Sequence, residues 1–311
     1  MHDGVRSIFA ERRFEHRRPA AVWIVSGRSN ATNELLVGAL HERGVRAGLA
    51  RPANLSDLAR DDDTVLGRLD VRPTLNGVED GLWELHRIEG RGTRILNPAP
   101  SLLACHDKLQ TAIRLARFGV AHPSTRHVDE RGPDGGFAFP VVVKPRFGSW
   151  GRDIVLCKSE RQLRRCLRRL RKRAWFREQG ALVQELVPPQ GFDLRLLVAC
   201  GEVVGAIKRV AAKGEWRTNI ALGGSRTPAV PTADAVALAR AAATAVGGDL
   251  VGVDLLPLPY GGYVVVEVNG AVDFTPDYSL GSEDVFEAVV RRLVATPADV
   301  ADASEGLAAP S

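Results

Sequence analysis

Long apolar runs are absent from this chain of 311 residues, which carries a formal net charge of +5. A helix that spans a bilayer needs about 20 consecutive apolar residues, and no run approaches that length. The first twenty residues mix basic and acidic side chains and lack the apolar core of a secretory signal. These absences predict a cytoplasmic protein without membrane spans.

Cysteine is scarce: the chain has 4 cysteines, and none of them forms a Cys-x-x-Cys pair. A disulfide framework or a zinc site would need paired spacings, so the sequence predicts reduced thiols. Two nucleotide-binding motifs are also missing, the Walker motif Gly-x-x-x-x-Gly-Lys-Ser/Thr and a Gly-x-Gly-x-x-Gly after the first predicted strand. Walker-type nucleotide hydrolases are thereby excluded, and a dinucleotide site has little support.

Positive charge is concentrated in residues 161–173, which contain seven arginines and one lysine. Leu163, Leu167 and Leu170 fall at helical spacing, which predicts an amphipathic helix with a basic outer face. That face is either simply solvated or a docking surface for an acidic protein or polyanion. Nucleic acid is not favoured as a partner, because no base-reading motif accompanies the basic residues.

Predicted strands and helices alternate in the first hundred residues, which indicates a small α/β domain with a parallel sheet. Its strands are predicted at residues 21–26, 45–50 and 64–66, and a helix runs to about residue 43. Farther on, strands dominate, which gives the C-terminal part an α+β character. The strands predicted there cover residues 139–145, 154–157, 182–187, 192–199, 203–210, 250–256 and 263–268, and helices cover 106–118 and 232–246.

Composition and pattern together predict five segments. They are an N-terminal extension (1–19), a leading α/β domain (20–104), a central subdomain with a phosphate loop (105–187), a C-terminal subdomain with a metal site (188–296) and a disordered tail (297–311).

Polar side chains interrupt the last two predicted strands. Glu267 and Asn269 are two positions apart and therefore share one face of their strand, and Asp254 on the neighbouring strand faces them. Two carboxylates and an amide oxygen suit Mg²⁺, which takes a few protein oxygens and completes its shell with water and phosphate. A polar sheet edge is the alternative, but it would not explain why Glu267 interrupts an apolar run. The sequence therefore predicts a magnesium site at Asp254, Glu267 and Asn269.

A lysine and a glycine-bearing loop suggest phosphate binding. Lys144 follows three valines, so its stem is expected to be buried while its ammonium group reaches a cleft. The loop at residues 146–152 follows at once and contains Ser149, Trp150 and Gly151. Its backbone N–H groups could approach phosphate oxygens closely. A tight turn is the common alternative for such a loop, and the preceding lysine favours the phosphate site.

More cations follow at Lys208, Arg209 and Arg217, the last in the run Arg217-Thr218-Asn219. They would repel one another unless they faced anions, and they fit a polyphosphate together with a carboxylate substrate. The segment 184–187 is typical of a nucleotide hinge, in which an exposed backbone edge meets adenine. Asp193 and Arg195 share a strand face and could bind ribose there, although an ion pair is an equal alternative.

These motifs occur in an order and at spacings that resemble the ATP-grasp domain of the RimK-like glutamate ligases. The resemblance covers roughly residues 20–290. The matching pieces are His106-Asp107-Lys108, Val143-Lys144-Pro145, the loop to Arg152, Gln184-Glu185-Leu186-Val187, Asp193-Leu194-Arg195, Lys208-Arg209, Arg217-Thr218-Asn219, Gly252-Val253-Asp254-Leu255 and Glu267-Val268-Asn269. It implies an ATP-grasp fold with a leading parallel α/β domain, and a nucleotide held between two α+β subdomains.

The resemblance also implies a role for each site residue. Lys108 and Lys144 would contact ATP phosphates beneath the loop at Ser149, Trp150 and Gly151. The adenine would be held by the hinge, Gln184, Glu185, Leu186 and Val187, and the ribose by Asp193. Lys208, Arg217, Thr218 and Asn219 would lie along the nucleotide, with Arg209, Lys208 and Arg217 acting in catalysis. Asp254, Glu267 and Asn269 would bind magnesium or manganese, with two ions expected.

The implied reaction is ATP-dependent ligation. A substrate carboxylate takes the γ-phosphoryl group, and an amine then displaces phosphate from the acyl-phosphate to give an amide. The expected substrates are an amino acid such as glutamate and a carboxylate acceptor. Homo-oligomers, dimers or tetramers, are also typical of the family. The alternatives are a nucleotide-binding protein without ligase activity and a phosphotransferase, but a protein kinase is disfavoured because no His-Arg-Asp catalytic motif is present.

One segment departs from the members that modify ribosomal protein. After Asn269 the chain continues Gly270-Ala271-Val272-Asp273-Phe274-Thr275, without the proline and glycine turn of those members. The aromatic residue is more similar to branches that use an acidic carrier protein or a tetrahydromethanopterin-type cofactor as acceptor. These two acceptor classes are therefore the expected ones, and residues 270–275 are where the substrate is expected to be selected.

Overall fold

The computed structural model describes residues 19–132 and 136–295. The tail predicted at 297–311 and all but the last residue of the extension predicted at 1–19 lie outside the described residues. In the described ranges, no helix is long and apolar enough to cross a membrane.

The leading part of the chain forms a parallel sheet, as predicted. Its strands are β1 (Ala21–Val25), β2 (Arg46–Ala50), β3 (Thr64–Gly67) and β4 (Arg94–Leu96), in the order β2-β1-β3-β4. Its helices are α1 (Ala31–Glu42), α2 (Leu55–Leu58), α3 (Leu82–Glu89) and α4 (Ala99–His106). Asn30 starts α1 by accepting a hydrogen bond from the backbone N–H of Asn33 at 2.8 Å, as expected of a helix N-cap.

The central sheet is antiparallel, in the order β5-β8-β6-β7. Its strands are β5 (Thr125–Val128), β6 (Val141–Pro145), β7 (Val155–Cys157) and β8 (Ala181–Glu185), with helices α5 (Lys108–Arg117), α6 (Glu160–Leu170) and α7 (Ala174–Gln179). Because side chains alternate along a strand, Val141 and Val143 pack in the core with Leu163 and Leu167 of α6. Lys144 lies on the other face of β6, towards a cleft.

Helix α6 confirms the predicted amphipathic helix. Leu163, Cys166, Leu167 and Leu170 are buried against the central sheet, and the arginines of α6 are exposed. The basic face therefore lies on the back of the central sheet, away from the cleft.

The C-terminal sheet is also antiparallel, in the order β11-β10-β9-β12-β13. Its strands are β9 (Phe192–Ala199), β10 (Glu202–Val210), β11 (Ser225–Pro228), β12 (Leu250–Pro257) and β13 (Tyr263–Asn269), with helices α8 (Ala233–Val246) and α9 (Val285–Val294). β9 and β10 pair as a hairpin. Cys200 and Gly201 both have positive φ angles, 47° and 85°, as a two-residue hairpin loop requires.

The two faces of the C-terminal sheet have different neighbours. Leu196 and Val198 on one face share a core with the alanines of α8. Leu197 on the other face shares a core with α9 and with Leu36 and Leu40 of the leading domain. The cleft opens on that second face, beside the junction with the leading domain. The boundaries predicted at 104/105 and 187/188 stay predictions.

Candidate active site

A cleft of about 940 Å³, counted with its open mouth, lies between the central and C-terminal sheets. Both sheets, α5 and three loops contribute to its walls. The predicted site residues that line it are Lys108, Lys144, Ser149, Trp150, Gly151, Gln184, Glu185, Leu186, Val187, Asp193, Arg209, Arg217, Thr218, Asn219, Asp254 and Glu267. Lys208 and Asn269 are not among the lining residues.

Lys144 is a buried cation with a neutral partner. Its Nζ donates a hydrogen bond to Oε1 of Gln184 at 2.8 Å, and Nε2 of Gln184 donates to Oγ1 of Thr125 at 2.8 Å. Burial, and next the charge of Lys108, lowers the pKa of Lys144 to about 7, although Glu267 acts in the opposite direction. The ammonium group is therefore poorly stabilised until an anion enters the cleft.

Lys108 connects the phosphate loop to the acidic end of the cleft. Its Nζ donates to the carbonyl of Gly148 at 2.5 Å and lies 3.1 Å from Oε1 of Glu267. Its backbone N–H donates to the carbonyl of Arg146 at 3.0 Å. The carboxylate of Asp107 caps α5 and forms a two-pronged ion pair with Arg146. The beginning of α5 and the beginning of the loop are thus fixed together.

Four charged residues of the C-terminal sheet form what we call the arginine–aspartate cluster, Asp193, Arg195, Arg209 and Asp254. Arg209 donates to both carboxylate oxygens of Asp193 at 2.7 and 2.5 Å and to Oδ2 of Asp254 at 2.7 Å. Arg195 donates to both oxygens of Asp254 at 2.6 and 2.8 Å. Burial alone would raise the pKa of Asp254, but the two guanidinium groups outweigh it and hold this pKa at about 2.

Lys208 does not belong to this cluster, contrary to the prediction that it contributes to the site with Arg209. Neighbouring residues of a strand point to opposite faces, and the side chain of Lys208 lies on the α8 face. Its Nζ lies 4.1 Å from the centre of the Phe192 ring, a cation–π contact. Only Arg209 of the pair reaches the cleft.

Both carboxylate oxygens of Asp193 also accept hydrogen bonds from neighbouring side chains. Besides the two bonds from Arg209, Oδ2 accepts a hydrogen bond from the hydroxyl of Thr218. The side chain is therefore positioned to orient Arg209, and a bond to a ribose hydroxyl would need rearrangement of these contacts.

The predicted metal ligands are brought only partly together. Asp254 and Glu267 are direct cross-strand partners, and a β-bulge beside them brings Val266 to the cleft wall next to Glu267. Oδ1 of Asn269 instead accepts a hydrogen bond from the backbone N–H of Ala271 at 3.1 Å. In the described part of the chain, no group of three or more His, Cys, Asp or Glu side chains could by itself hold a metal ion.

The carboxylate pair nevertheless fits a hard cation, since Mg²⁺ in nucleotide sites takes one or two carboxylates and completes its shell with phosphate and water.

The hinge and its loops form the other end of the cleft. The backbone N–H of Glu185 donates to Ser124 and that of Leu186 to Pro140, at 2.9 and 3.3 Å. Val142, Leu256 and Val266 provide apolar walls beside them, as a flat ring such as adenine requires.

Trp150 projects from the phosphate loop and is 62% exposed. It and Gly151 have φ angles of 61° and 72°, and a Cβ on Gly151 would lie 2.9 Å from Oδ1 of Asn219. Arg217 donates to the Gly151 carbonyl at 3.2 Å and is paired with Glu215 at 2.8 Å. The glycine is required by both its backbone angle and this close approach.

Several residues of the site were missed by the sequence-based prediction. Glu215 orients Arg217, and Arg146 pairs with Asp107. For Arg195 the sequence left open a ribose contact or an ion pair, and in the structure it forms an ion pair with Asp254. Glu215 and Arg217 carry opposite charges two positions apart, so the sequence offered a signal for their ion pair. The pair of Arg195 with Asp254 depends on strand register, and the sequence offered no signal for it.

A sequence profile described as the RimK-like ATP-grasp domain matches residues 101–281. The match covers more than half of the chain, and the chain therefore belongs to the RimK-like ATP-grasp family. The predicted fold is confirmed, and so is the predicted class of enzyme, an ATP-dependent ligase that forms C–N bonds.

Individual relatives agree with this assignment. The chain is 27% identical over 254 residues to the glutamate–LysW ligase ArgX of Sulfurisphaera tokodaii, covering 78% of this chain and 86% of the relative. It is 34% identical over 218 residues to a probable alpha-L-glutamate ligase of Halorhodospira halophila, covering 67% of this chain and 68% of the relative.

The crystal structure of the D-cycloserine synthetase DcsG has the same fold. It superposes with a TM-score of 0.66 at 19% identity and covers 88% of this chain and 98% of the synthetase.

Proposed function

We propose that this enzyme joins an amino acid of the glutamate class to a carboxylate acceptor, with ATP as the energy source. The observation that carries the proposal is the phosphate end of the cleft, where Lys108, Lys144 and Arg209 surround the carboxylates of Asp254 and Glu267. Opposite charges so closely placed suit a polyphosphate whose charge is partly neutralised by a cation.

ATP would lie along the cleft with its adenine against the hinge at Glu185, Leu186 and Val187. Lys144 and Lys108 would contact its phosphates, and the backbone of the loop at Ser149 and Gly151 would cover them. The burial of Lys144 and its neutral partner Gln184 support this placement, since an ammonium group so placed gains most from an incoming anion.

Asp254 and Glu267 would hold one or two Mg²⁺ ions together with the phosphates of ATP. When bound, Mg²⁺ would neutralise phosphate charge and polarise the γ-phosphoryl group. Each carboxylate would first have to exchange part of its pairing with Arg195, Arg209 or Lys108. Asn269 would join the ligands only by releasing the N–H of Ala271.

The proposed reaction has two steps. An oxygen of the acceptor carboxylate attacks the γ-phosphorus, and the bond from that phosphorus to the β–γ bridging oxygen breaks, which releases ADP. The amine nitrogen then attacks the acyl carbon, phosphate leaves with the electron pair of the broken C–O bond, and the nitrogen loses a proton to solvent. Arg209, fixed by Asp193 and Asp254, would stabilise the negative charge on the transferring phosphoryl group.

Names of relatives support the substrate class. One relative is named a ligase for glutamate and LysW, another for alpha-aminoadipate and LysW, and a third an N-acetylaspartylglutamate synthase. All three names contain an acidic amino acid. For this chain we propose glutamate or a close homologue as the amine, and an acidic carrier protein or a small cofactor as the acceptor.

The first half-reaction offers a direct test. The enzyme is incubated with ATP, Mg²⁺, hydroxylamine and a panel of carboxylates that includes L-glutamate, N-acetyl-L-aspartate and peptides ending in glutamate. Hydroxylamine traps an acyl-phosphate as a hydroxamate, so hydroxamate and ADP should appear in equal amounts. Glu267→Gln should lower this rate about 100-fold or more.

Glu283→Gln is the matched control, because Glu283 is an exposed glutamate that is paired with Arg291 at 2.7 Å and is not among the residues that line the cleft. It should leave the rate unchanged. Nucleotide binding without hydroxamate from any carboxylate would contradict the ligase proposal and favour a protein that only binds the nucleotide.

A further inference from the structure

Arg195 lies where the cleft ends and the leading domain begins. Side chains of β9 alternate, so Asp193, Arg195 and Leu197 share one face of the strand. Asp193 lines the nucleotide cleft, and Leu197 is buried in the core shared with α1 and α9. Arg195 stands between them, one step beyond the residues that line the cleft.

The two arginines of the arginine–aspartate cluster differ in their hydrogen-bond partners and in their exposure. Arg209 donates to two carboxylates, Asp193 and Asp254, and its side chain is 7% exposed. Arg195 uses Nε and Nη2 for Asp254 alone, and its side chain is 17% exposed. In the described ranges, Nη1 of Arg195 makes no bond to a carboxylate. One edge of this guanidinium group is thus fixed by Asp254, while the other has no anionic partner.

Tyr278, a hydrogen-bond partner of Arg195, follows the segment 270–275, in which substrate selection is expected. Tyr278 is buried, its hydroxyl lies beside Arg195, and it contacts the carbonyl of Asp273 at 3.5 Å. The leading domain holds the same segment, because Arg68 donates to the carbonyl of Val272 at 2.7 Å and Asn97 to that of Gly270 at 3.2 Å. The backbone of residues 270–273 is therefore held in place from two sides, by the leading domain and by Tyr278.

We propose that Arg195 binds a carboxylate of the amino-acid substrate and thereby sets the enzyme's preference for acidic amino acids. An arginine presents paired N–H donors that match a carboxylate, and the bond to Asp254 orients the group before the substrate arrives. The inference rests on the proposed ligase function. It goes further than that function in two ways. It names a residue outside the nucleotide cleft that recognises the substrate, and it names the ligand class, an amino acid with a free carboxylate.

Equilibrium binding tests the assignment without turnover. The full-length enzyme is saturated with Mg²⁺ and the non-hydrolysable analogue AMP-PNP, and L-glutamate and L-α-aminoadipate are titrated by calorimetry. Arg195→Met should weaken amino-acid binding about 10- to 100-fold, the range for a charge-assisted hydrogen bond. The affinity of the variant for Mg²⁺·AMP-PNP is measured first, because Arg195 is bonded to Asp254, and amino-acid binding is then compared with both proteins saturated with nucleotide.

Arg240→Met is the matched control, because Arg240 is a half-exposed arginine paired with Glu202 at 3.2 Å on the α8 side. It should bind both ligands as the wild type does. Added guanidinium chloride at low millimolar concentration should partly restore amino-acid binding to a smaller variant, Arg195→Ala, which a purely structural role would not allow.

Two results would overturn the assignment. One is an Arg195→Met variant that binds the amino acids as tightly as the wild type, and the other is a wild-type enzyme that binds neither amino acid. Failure of the ligase proposal would be seen separately, as the absence of hydroxamate from the wild type with every carboxylate.

Discussion

The two sheets that enclose the cleft supply positive charge in opposite ways. The central sheet contributes Lys144, whose hydrogen-bond partner is the neutral amide of Gln184. The C-terminal sheet contributes Arg195 and Arg209, both of which are bonded to aspartates. Among the residues that the structure describes, one sheet thus has a buried cation without a directly bonded counter-ion, and the other has a cluster of two cations and two anions.

Because of this difference, the two sheets have different roles in ligand binding. Burial lowers the pKa of Lys144 to about 7, so this group pays an electrostatic cost that an anionic ligand would remove. Burial acts in the same direction on Arg209, but Asp254 and Asp193 outweigh it, and the pKa of Arg209 is raised. We infer that Lys144 contributes mainly charge to ligand binding, and that the arginine–aspartate cluster contributes mainly fixed geometry.

The largest expected effect comes from breaking the cluster. Arg209→Met leaves Asp193 buried and, among residues 19–132 and 136–295, with only the hydroxyl of Thr218 as a side-chain partner. Removing one member of a buried ion pair costs about 3–5 kcal/mol, so urea unfolding should show a loss of that size. Arg226→Met is the control, since Arg226 lies opposite Arg209 on β11 but is paired with Asp277 at the surface, 40% exposed. It should cost less than about 1 kcal/mol.

An Arg209→Met variant as stable as the Arg226→Met control would show that the cluster is not a structural unit. In that case the contrast between the two sheets would not hold.

The next effect is on ligand binding rather than on folding. Lys144→Met removes a buried charge with no ionic partner in direct contact, so the free energy of unfolding should not fall. The affinity for Mg²⁺·AMP-PNP should fall about 10- to 100-fold, because a charge-assisted contact to phosphate is lost. Calorimetric titration measures the affinity, with Lys172→Met as the control, since Lys172 is an exposed lysine in the turn after α6. A destabilised Lys144→Met variant with normal affinity would reverse the roles given to the two sheets.

Much of this comparison could be predicted from the sequence. The run of three valines before Lys144 indicates a buried strand ending in a cation, and the structure has that strand as β6. The alternation of strands and helices likewise predicts the parallel leading sheet. Local patterns of this kind suffice because burial and strand period are properties of neighbouring residues.

The cluster could not be predicted in the same way. Arg195 and Asp254 are 59 positions apart and meet only because β9 pairs with β12 in one particular register. A shift of one residue would place the two side chains on opposite faces. The placement of Lys208 has a simpler cause, since neighbouring residues of a regular strand point to opposite faces and Arg209 is the one that points into the cleft. Asn269 is not among the residues that line the cleft, and its amide oxygen accepts a bond from a nearby backbone N–H, a local contact that Asn often makes.

The smallest expected effect is a proton taken up when the nucleotide binds. With its pKa at about 7, Lys144 is charged at pH 6 and mostly neutral at pH 8. Phosphate oxygens would raise this pKa, so binding at pH 8 should take up close to one proton, binding at pH 6 much less, and affinity should fall as pH rises above about 7. Calorimetric titration in two buffers of different ionisation enthalpy measures the uptake, and equal uptake at both pH values would contradict the assignment.

Gln184→Glu would make the central sheet resemble the C-terminal one, by giving Lys144 an ionic partner at the position where Oε1 of Gln184 lies, 2.8 Å away. The pKa of Lys144 should rise, so that the ammonium group is already charged at pH 8 and the proton uptake there largely disappears. Nucleotide binding should also weaken, by about 1 kcal/mol, because the new carboxylate competes with the phosphates for the same cation. Gln184→Met removes the same hydrogen bond without adding charge, and it should keep the uptake. If both variants lost the uptake, the hydrogen bond from Lys144 to Gln184 would be what matters, and the missing counter-ion would not explain the low pKa.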